Sequence, residues 1–143
     1  MRSSFFLLAL IVSVFIGGCA TTSTPKPRNL EALFKKADTD GDGRVSRDEF
    51  ADFMIEEVFA NYDKNGNGYV VEAEFVAGGG TPETFKKINR SGTGKITLEE
   101  AKASKLIRDT MTVPFNEADV NGNGYVTWDE FQQFRARAQP YIR

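Results

Sequence analysis

Histidine is absent from this chain of 143 residues. Its absence removes the commonest general base and a frequent transition-metal ligand. Cysteine occurs once, at Cys19, so no intrachain disulfide framework is available. Neither sign of charge dominates: 18 Lys and Arg stand against 20 Asp and Glu, a formal net charge of −2. Such a balance gives no reason to expect a nucleic-acid partner. Beyond the first twenty residues the only methionines are Met54 and Met111, too few for an adaptable Met-rich binding surface. No long hydrophobic run is present either. Phe5–Ile16 is continuously apolar or small, but about a dozen residues fall short of the roughly 20 that a membrane span requires. No nucleophile stands at a spacing that would pair it with a base, so the chain is expected not to be an enzyme.

What is present is a twelve-residue pattern written four times: Asp38–Glu49 (loop 1), Asp63–Glu74 (loop 2), Asn89–Glu100 (loop 3) and Asp119–Glu130 (loop 4). Each copy has oxygen-bearing side chains at positions 1, 3 and 5, Gly at 6, an aliphatic residue at 8 and Glu at 12. A calcium ion takes six to eight oxygens at about 2.3–2.6 Å, and this spacing supplies them. Side chains 1, 3 and 5 converge, the carbonyl of position 7 turns inward, and Glu at 12 closes the shell. Gly43, Gly68, Gly94 and Gly124 fall where the chain must turn sharply.

The repeat extends past the loops. Phe34, Phe59, Phe85 and Phe115 each lie four residues before position 1, and position 13 is Phe50, Phe75, Ala101 and Phe131. Position 8 is Val45, Val70, Ile96 and Val126, the residue expected to join loops through a short β-bridge. Aromatics one helical turn before and just after a loop read as two helices closing on a shared core. With this register, residues 30–138 resemble the EF-hand superfamily. The resemblance implies an all-α fold of four tandem helix–loop–helix motifs with short connecting helices and short β-bridges between paired loops.

By that resemblance, loop 1 offers Asp38, Asp40, Asp42 and Glu49, with the Arg44 carbonyl and Ser46 (or its water) completing the shell. Loop 2 offers Asp63, Asn65, Asn67, the Tyr69 carbonyl and Glu74. Loop 4 offers Asp119, Asn121, Asn123, the Tyr125 carbonyl and Glu130. Two charged ligands instead of four should weaken electrostatic capture in loops 2 and 4. Loop 3 departs from the pattern: Asn89, Ser91 and Thr93 replace the acids, with Arg90 and Lys95 close by. It reads as a weak site or as a relict kept for its fold, so about three calcium ions are expected per chain. Lys86, Lys87, Arg90, Lys95, Lys102, Lys105 and Arg108 make this third motif basic. They read as a solvated face offsetting the acidic loops, or as a contact for anionic lipid.

Only thirteen residues, Phe50–Tyr62, join loops 1 and 2, and they contain no Pro or Gly. One helix shared by both motifs is expected, about 20 Å long, holding the two loops at opposite ends. Loops 1 and 3 would then share one end and loops 2 and 4 the other. Breaks at Gly78-Gly79-Gly80 and at Thr112-Val113-Pro114 leave pairing of adjacent loops open. Thr81 and Pro82 are suited to restart a helix as N-cap and first residue.

The N-terminus is a separate object. Arg2 followed by Phe5–Ile16 has the length and order of a secretory signal. Ile16-Gly17-Gly18-Cys19 resembles the bacterial lipobox. That resemblance implies a signal peptide at 1–18, lipid on Cys19 and a tether over 19–29, ahead of a calcium-binding domain at 30–143. An ordinary cleaved signal with an incidental cysteine is the alternative. Removing the signal takes away Arg2 and moves the formal charge from −2 to −3. Ala20, where inner-membrane retention would call for Asp, implies by the same analogy an outer-membrane protein facing the periplasm. The expected function is a lipid-anchored calcium sensor or buffer of the bacterial envelope. The competing expectation is a domain stapled by constitutive calcium, with an unrelated partner surface.

Overall fold

The computed structural model describes residues 29–137. The expected signal segment, Cys19 and most of the expected tether lie outside the described residues. The chain order is α1 (Leu30–Ala37), β1 (Arg44–Ser46), α2 (Arg47–Tyr62), β2 (Tyr69–Val71), α3 (Glu72–Ala77), α4 (Pro82–Ile88), β3 (Lys95–Thr97), α5 (Leu98–Ala103), α6 (Lys105–Thr110), α7 (Thr112–Ala118), β4 (Tyr125–Thr127) and α8 (Trp128–Arg137). Helix dominates, and each three-residue strand lies inside one of the four loops.

The helix boundaries follow local chemistry. Asn29 caps α1 by accepting a hydrogen bond from the Ala32 amide at 3.2 Å. Ser46 opens α2 with a reciprocal capping box to Glu49, which satisfies two otherwise orphaned amides. Nothing then interrupts α2 for sixteen residues, about 24 Å of helix at 1.5 Å per residue. Thr81 caps α4 and Pro82 takes its first position, as the sequence suggests. The glycines before it also serve packing: a side chain at Gly78 would run into the Tyr62 ring, and one at Gly80 into Phe75. The expected break at Thr112-Val113-Pro114 is displaced. Helix α7 includes all three residues, and the interruptions fall at Ser104 and Met111. Pro114 is tolerated in the first turn, where its missing amide would have no helical partner anyway.

The long α2 separates loops 1 and 2 as expected, but the other loops are distributed differently. Strand β1 pairs antiparallel with β4, with Val45 opposite Val126. Strand β2 pairs antiparallel with β3, with Val70 opposite Ile96. Loops 1 and 4 therefore share one end and loops 2 and 3 the other, which corrects the expected pairing of 1 with 3 and 2 with 4. The chain itself gives a physical reason: after the Gly78-Gly79-Gly80 turn α4 packs back on the short α3, which brings loop 3 beside loop 2 and leaves loop 4 for loop 1. Position 7 is complementary in both pairs. The Arg44 guanidinium sits 4.2 Å from the Tyr125 ring centre, and the Lys95 ammonium 4.6 Å from that of Tyr69. Each pair sets a cation against a tyrosine. Pairing 1 with 3 would have brought Arg44 to Lys95 instead.

Two cores lie behind the two sheets. The first gathers Phe34, Val45, Phe50, Phe53, Phe115, Val126, Phe131 and Phe134, with edge-on aromatic contacts such as Phe50–Phe115 at 5.5 Å. The second gathers Ile55, Phe85, Ile88, Ile96 and Ala101. It is less filled. A pocket of about 230 Å³ opens among Ile55, Phe59, Phe75, Ile88, Ala101 and Met111. Ala101 stands where the other loops have Phe at position 13, so a ring's volume is missing there. Helix α2 carries apolar residues around much of its circumference because Phe50 and Phe53 enter the first core while Ile55 enters the second.

Candidate metal centre

Helix ends position the acidic groups of each loop. Asp38, Asp63 and Asp119 are the C-caps of α1, α2 and α7, each donating its amide to the Phe four residues earlier. Glu49, Glu74 and Glu130 occupy the third positions of α2, α3 and α8. Between the two lips the backbone reverses through glycines in the left-handed region, φ +74° and +85° at Gly41 and Gly43. The same pair of positions, 4 and 6, is left-handed in all four loops. Glycine at position 4 is present in every repeat, a signal the sequence reading passed over.

In loop 1, ligand atoms of Asp38, Asp40 and Asp42 lie within 4.8 Å of one another. The Asp38 carboxylate accepts from the amides of Asp42 at 3.1 Å and Gly43 at 3.0 Å, which aims it into the loop. Asp40 accepts from the Asp42 amide at 3.1 Å. Arg44 lies alongside, its Nε 2.8 Å from Asp42 Oδ2. Glu49 is held from both sides. Thr39 donates its amide and hydroxyl to Oε1 at 2.9 and 2.7 Å, and Ser46 donates its amide and hydroxyl to Oε2 at 2.9 and 2.8 Å. Partial burial pushes the Glu49 carboxyl up, but the donors from Ser46, Thr39 and Asp40 outweigh it and hold it at about 2. Glu49 is therefore an anion at any physiological pH.

Loops 2 and 4 repeat this frame with amides in place of two acids. Asp63 accepts from the amides of Asn67 and Gly68 at 3.1 and 2.9 Å, and Asp119 from those of Asn123 and Gly124 at the same distances. Asn65 Nδ2 donates to Glu74 at 2.6 Å, and Asn121 Nδ2 to Glu130 at 2.8 Å. Asn67 and Asn123 accept from Tyr69 and Tyr125 amides at 3.1 and 2.9 Å. Arg44, Tyr69 and Tyr125, expected to offer carbonyls, are the first residues of β1, β2 and β4. Glu130 is buried; that burial alone would raise its carboxyl, yet the Thr127, Asn121 and Val120 donors bring it below the ordinary range.

Loop 3 is organised differently. The Ser91 hydroxyl donates to Asn89 at 3.2 Å and lies 3.0 Å from the Thr93 hydroxyl, while Thr93 donates to the Lys95 carbonyl at 3.2 Å. Its groups at positions 1, 3, 5 and 7 bind one another. The Glu100 carboxyl is lowered chiefly by the Ser91 hydroxyl, against burial.

The structure thus brings together within each of loops 1, 2 and 4 the residues the sequence singled out. The donor sets are hard oxygens, anionic or amide, which fit calcium and suit no soft metal. One role differs. Ser46 is occupied as the helix cap on Glu49 rather than facing the loop interior alone. Thr39 fixes Glu49, a role the ligand pattern does not assign, and Thr127, the position-9 residue of loop 4, fixes Glu130. The S-x-x-E spacing of Ser46 and Glu49 was the available signal.

The family profile described as EF hand matches residues 30–54 and 113–134, the segments carrying loops 1 and 4. The chain is 31% identical over 102 residues to the probable calcium-binding protein CML34 of Arabidopsis thaliana, covering 69% of this chain and 63% of that protein. It is 30% identical over 127 residues to polcalcin Cup a 4 of Hesperocyparis arizonica, covering 72% and 77%. It is also 28% identical over 141 residues to lysophosphatidylcholine acyltransferase 2 of Danio rerio, covering 81% of this chain but 26% of that protein. Against this acyltransferase and CML34 alike, the chain spans less than two thirds of the relative's length. Loop geometry, donor chemistry and these relatives agree, and the chain belongs to the EF-hand family of calcium-binding proteins.

Proposed function

We propose that all four loops are EF-hands in tandem and that loops 1, 2 and 4 each hold one calcium ion. The observation carrying this is the frame common to those three loops. An aspartate at position 1 is aimed inward by the amides of positions 5 and 6, and the glutamate at position 12 accepts from position 2 or 3 at the loop's opposite end. Asp38, Asp40, Asp42 and Glu49 would hold the ion in loop 1. Asp63, Asn65, Asn67 and Glu74 would do so in loop 2, and Asp119, Asn121, Asn123 and Glu130 in loop 4. A bound ion supplies positive charge that neutralises the clustered carboxylates and adds its binding energy to the folded state. Loop 3 is read as a structural partner that completes the sheet with loop 2.

The protein is read as a lipid-anchored calcium sensor or buffer of the bacterial envelope, not an enzyme. Support comes from the lipobox-like Ile16–Cys19 and the lack of histidine. Sites tuned near about 10⁻⁴–10⁻³ M would suit extracytoplasmic calcium. Native mass spectrometry of the Ala20–Arg143 chain at millimolar calcium should count three ions, and Glu49→Gln should reduce the count to two. One ion or none on the wild type would overturn this reading.

A further inference from the structure

Loop 1 is the only one of the four loops with a carboxylate at position 5, and it carries an arginine at position 7. The two residues meet. Arg44 Nε lies 2.8 Å from Asp42 Oδ2, and the Arg44 amide donates to Asp42 Oδ1 at 3.0 Å. Both oxygens of a proposed ligand are therefore engaged by one neighbouring residue. Across the sheet the guanidinium rests 4.2 Å from the Tyr125 ring centre, so loop 4 supplies its seat.

Loops 2 and 4 show what the guanidinium is not needed for. Asn67 and Asn123, at position 5, accept from the position-7 amides at 3.1 and 2.9 Å, the same backbone contact as in loop 1. Position 5 is thus oriented by the backbone in all three loops, with or without a cation at position 7. As a tie, the Arg44–Asp42 pair adds little, because its side chains are 51% and 36% exposed. What remains is charge. A fixed positive charge on a ligand carboxylate opposes the entry of a divalent cation. The second sheet provides a contrast: the Lys95 ammonium rests 4.6 Å from the Tyr69 ring centre, but its own loop has Thr93 at position 5. The contact of cation and tyrosine belongs to both sheets, and only in loop 1 does the cation also touch a position-5 carboxylate.

We infer that Arg44 is an internal counter-ion that weakens calcium capture by loop 1, offsetting the advantage of its additional carboxylates. Loop 1 then fills at calcium concentrations closer to those of loops 2 and 4 than its carboxylate count alone implies. Four uncompensated carboxylates would keep the site occupied as calcium fell, whereas the compensated site empties and refills with it. The inference rests on loops 1 and 4 both being calcium sites, as proposed above.

The test follows the amide resonances of Gly43 and Gly124, one in each loop of the sheet, through calcium titrations of the isotope-labelled protein. Arg44→Gln keeps a polar side chain and removes the charge. In about 0.01 M salt it should lower the Gly43 midpoint at least about threefold and move the Gly124 midpoint by less than about twofold. Arg44→Lys keeps the charge, and its Gly43 midpoint should stay within about twofold of the wild type. In about 1 M potassium chloride, where the screening length is about 3 Å, the gain from Arg44→Gln should fall below about twofold. An unchanged or raised Gly43 midpoint in Arg44→Gln would overturn the inference and leave Arg44 as a structural contact of the sheet. A gain undiminished by salt, or equal in both loops, would overturn it too, because neither is a local effect of charge. A Gly43 resonance that never responds to calcium in the wild type would instead remove the loop 1 site itself, and the counter-ion role with it.

Discussion

Glu130 and Trp128 sit two residues apart at the start of α8 and face different tasks. Glu130 turns into loop 4, where Thr127 donates its amide at 3.0 Å and its hydroxyl at 2.8 Å. Trp128 packs edge-on against Phe34, ring centres 5.4 Å apart, so its indole is held by the first core. This fixes an energy donor beside a candidate site. Terbium shares calcium's size and oxygen preference, and its emission on tryptophan excitation should report loop 4. Glu130→Gln removes charge from the closing ligand, and a loss above about 1.4 kcal/mol means at least tenfold weaker affinity. Tryptophan-excited emission at subsaturating terbium should drop accordingly, while the component sensitised by Tyr69 at loop 2 persists. Full tryptophan-excited emission in the variant would show that loop 4 is not the site. At this scale the sequence was informative about oxygens at fixed spacing and silent about their support. Thr39 occupies position 2, which the ligand pattern leaves free, and Thr127 occupies position 9, where the pattern asks for a ligand or its water rather than a support for Glu130. Only the fold reveals that their hydroxyls hold the glutamates.

Among the elements, α2 decides the architecture, and its continuity was readable because FADFMIEEVFANY contains neither Pro nor Gly. The partner of each loop was not readable from helix length alone. Chain geometry separates loop 1 from loop 2 but does not choose between loops 3 and 4. Each observed pair sets a cation on a tyrosine at position 7, and Arg44, Tyr69, Lys95 and Tyr125 were all visible in the sequence as loop residues without a cross-loop role. The break at Pro114 was misplaced for a related reason: proline within a helix's first turn breaks nothing. The strongest tie between α2 and α8 is Arg135–Glu57. The Arg135 side chain is 4% exposed and Glu57 27%, and the guanidinium lies 5.2 Å from the Phe53 ring centre. Removing Glu57 leaves a buried cation without its partner. Glu57→Ala should cost about 2–4 kcal/mol in urea unfolding followed by circular dichroism at fixed calcium. The double variant Glu57→Leu with Arg135→Met should recover most of that loss, because two apolar groups carry no desolvation penalty. Lys35→Ala, which breaks the exposed Glu31 pair, should move stability by less than about 0.5 kcal/mol. Equal losses for Glu57→Ala and Lys35→Ala would show that burial does not set the strength of the tie.

For the molecule as a whole, the proposed lipid anchor has to be tested apart from any other means of reaching a membrane. No helix among the described residues is long and apolar enough to cross one. Phe5–Ile16 falls short as well, at about a dozen residues against roughly 20. The proposed attachment point is Cys19, the chain's only cysteine, preceded by Gly17-Gly18. A single acyl chain gives marginal, reversible binding, while several on one anchor hold a protein stably. On the proposed anchoring, the ten residues Ala20–Asn29 set an upper limit of about 30 Å on the distance from lipid to domain. Without residues 1–18 the formal charge is −3, and filling the three proposed sites would move it to about +3, counting two per ion. Electrostatic attraction to anionic lipid would thus change with calcium, whereas a covalent anchor would not. Cells expressing wild type or Cys19→Ser, labelled with radioactive palmitate and fractionated in excess chelator, separate the two contributions. The wild type should take label and remain with the membranes, and Cys19→Ser should take none and be released. If both partition alike and neither is labelled, the lipobox reading fails and the N-terminus is a simple export signal.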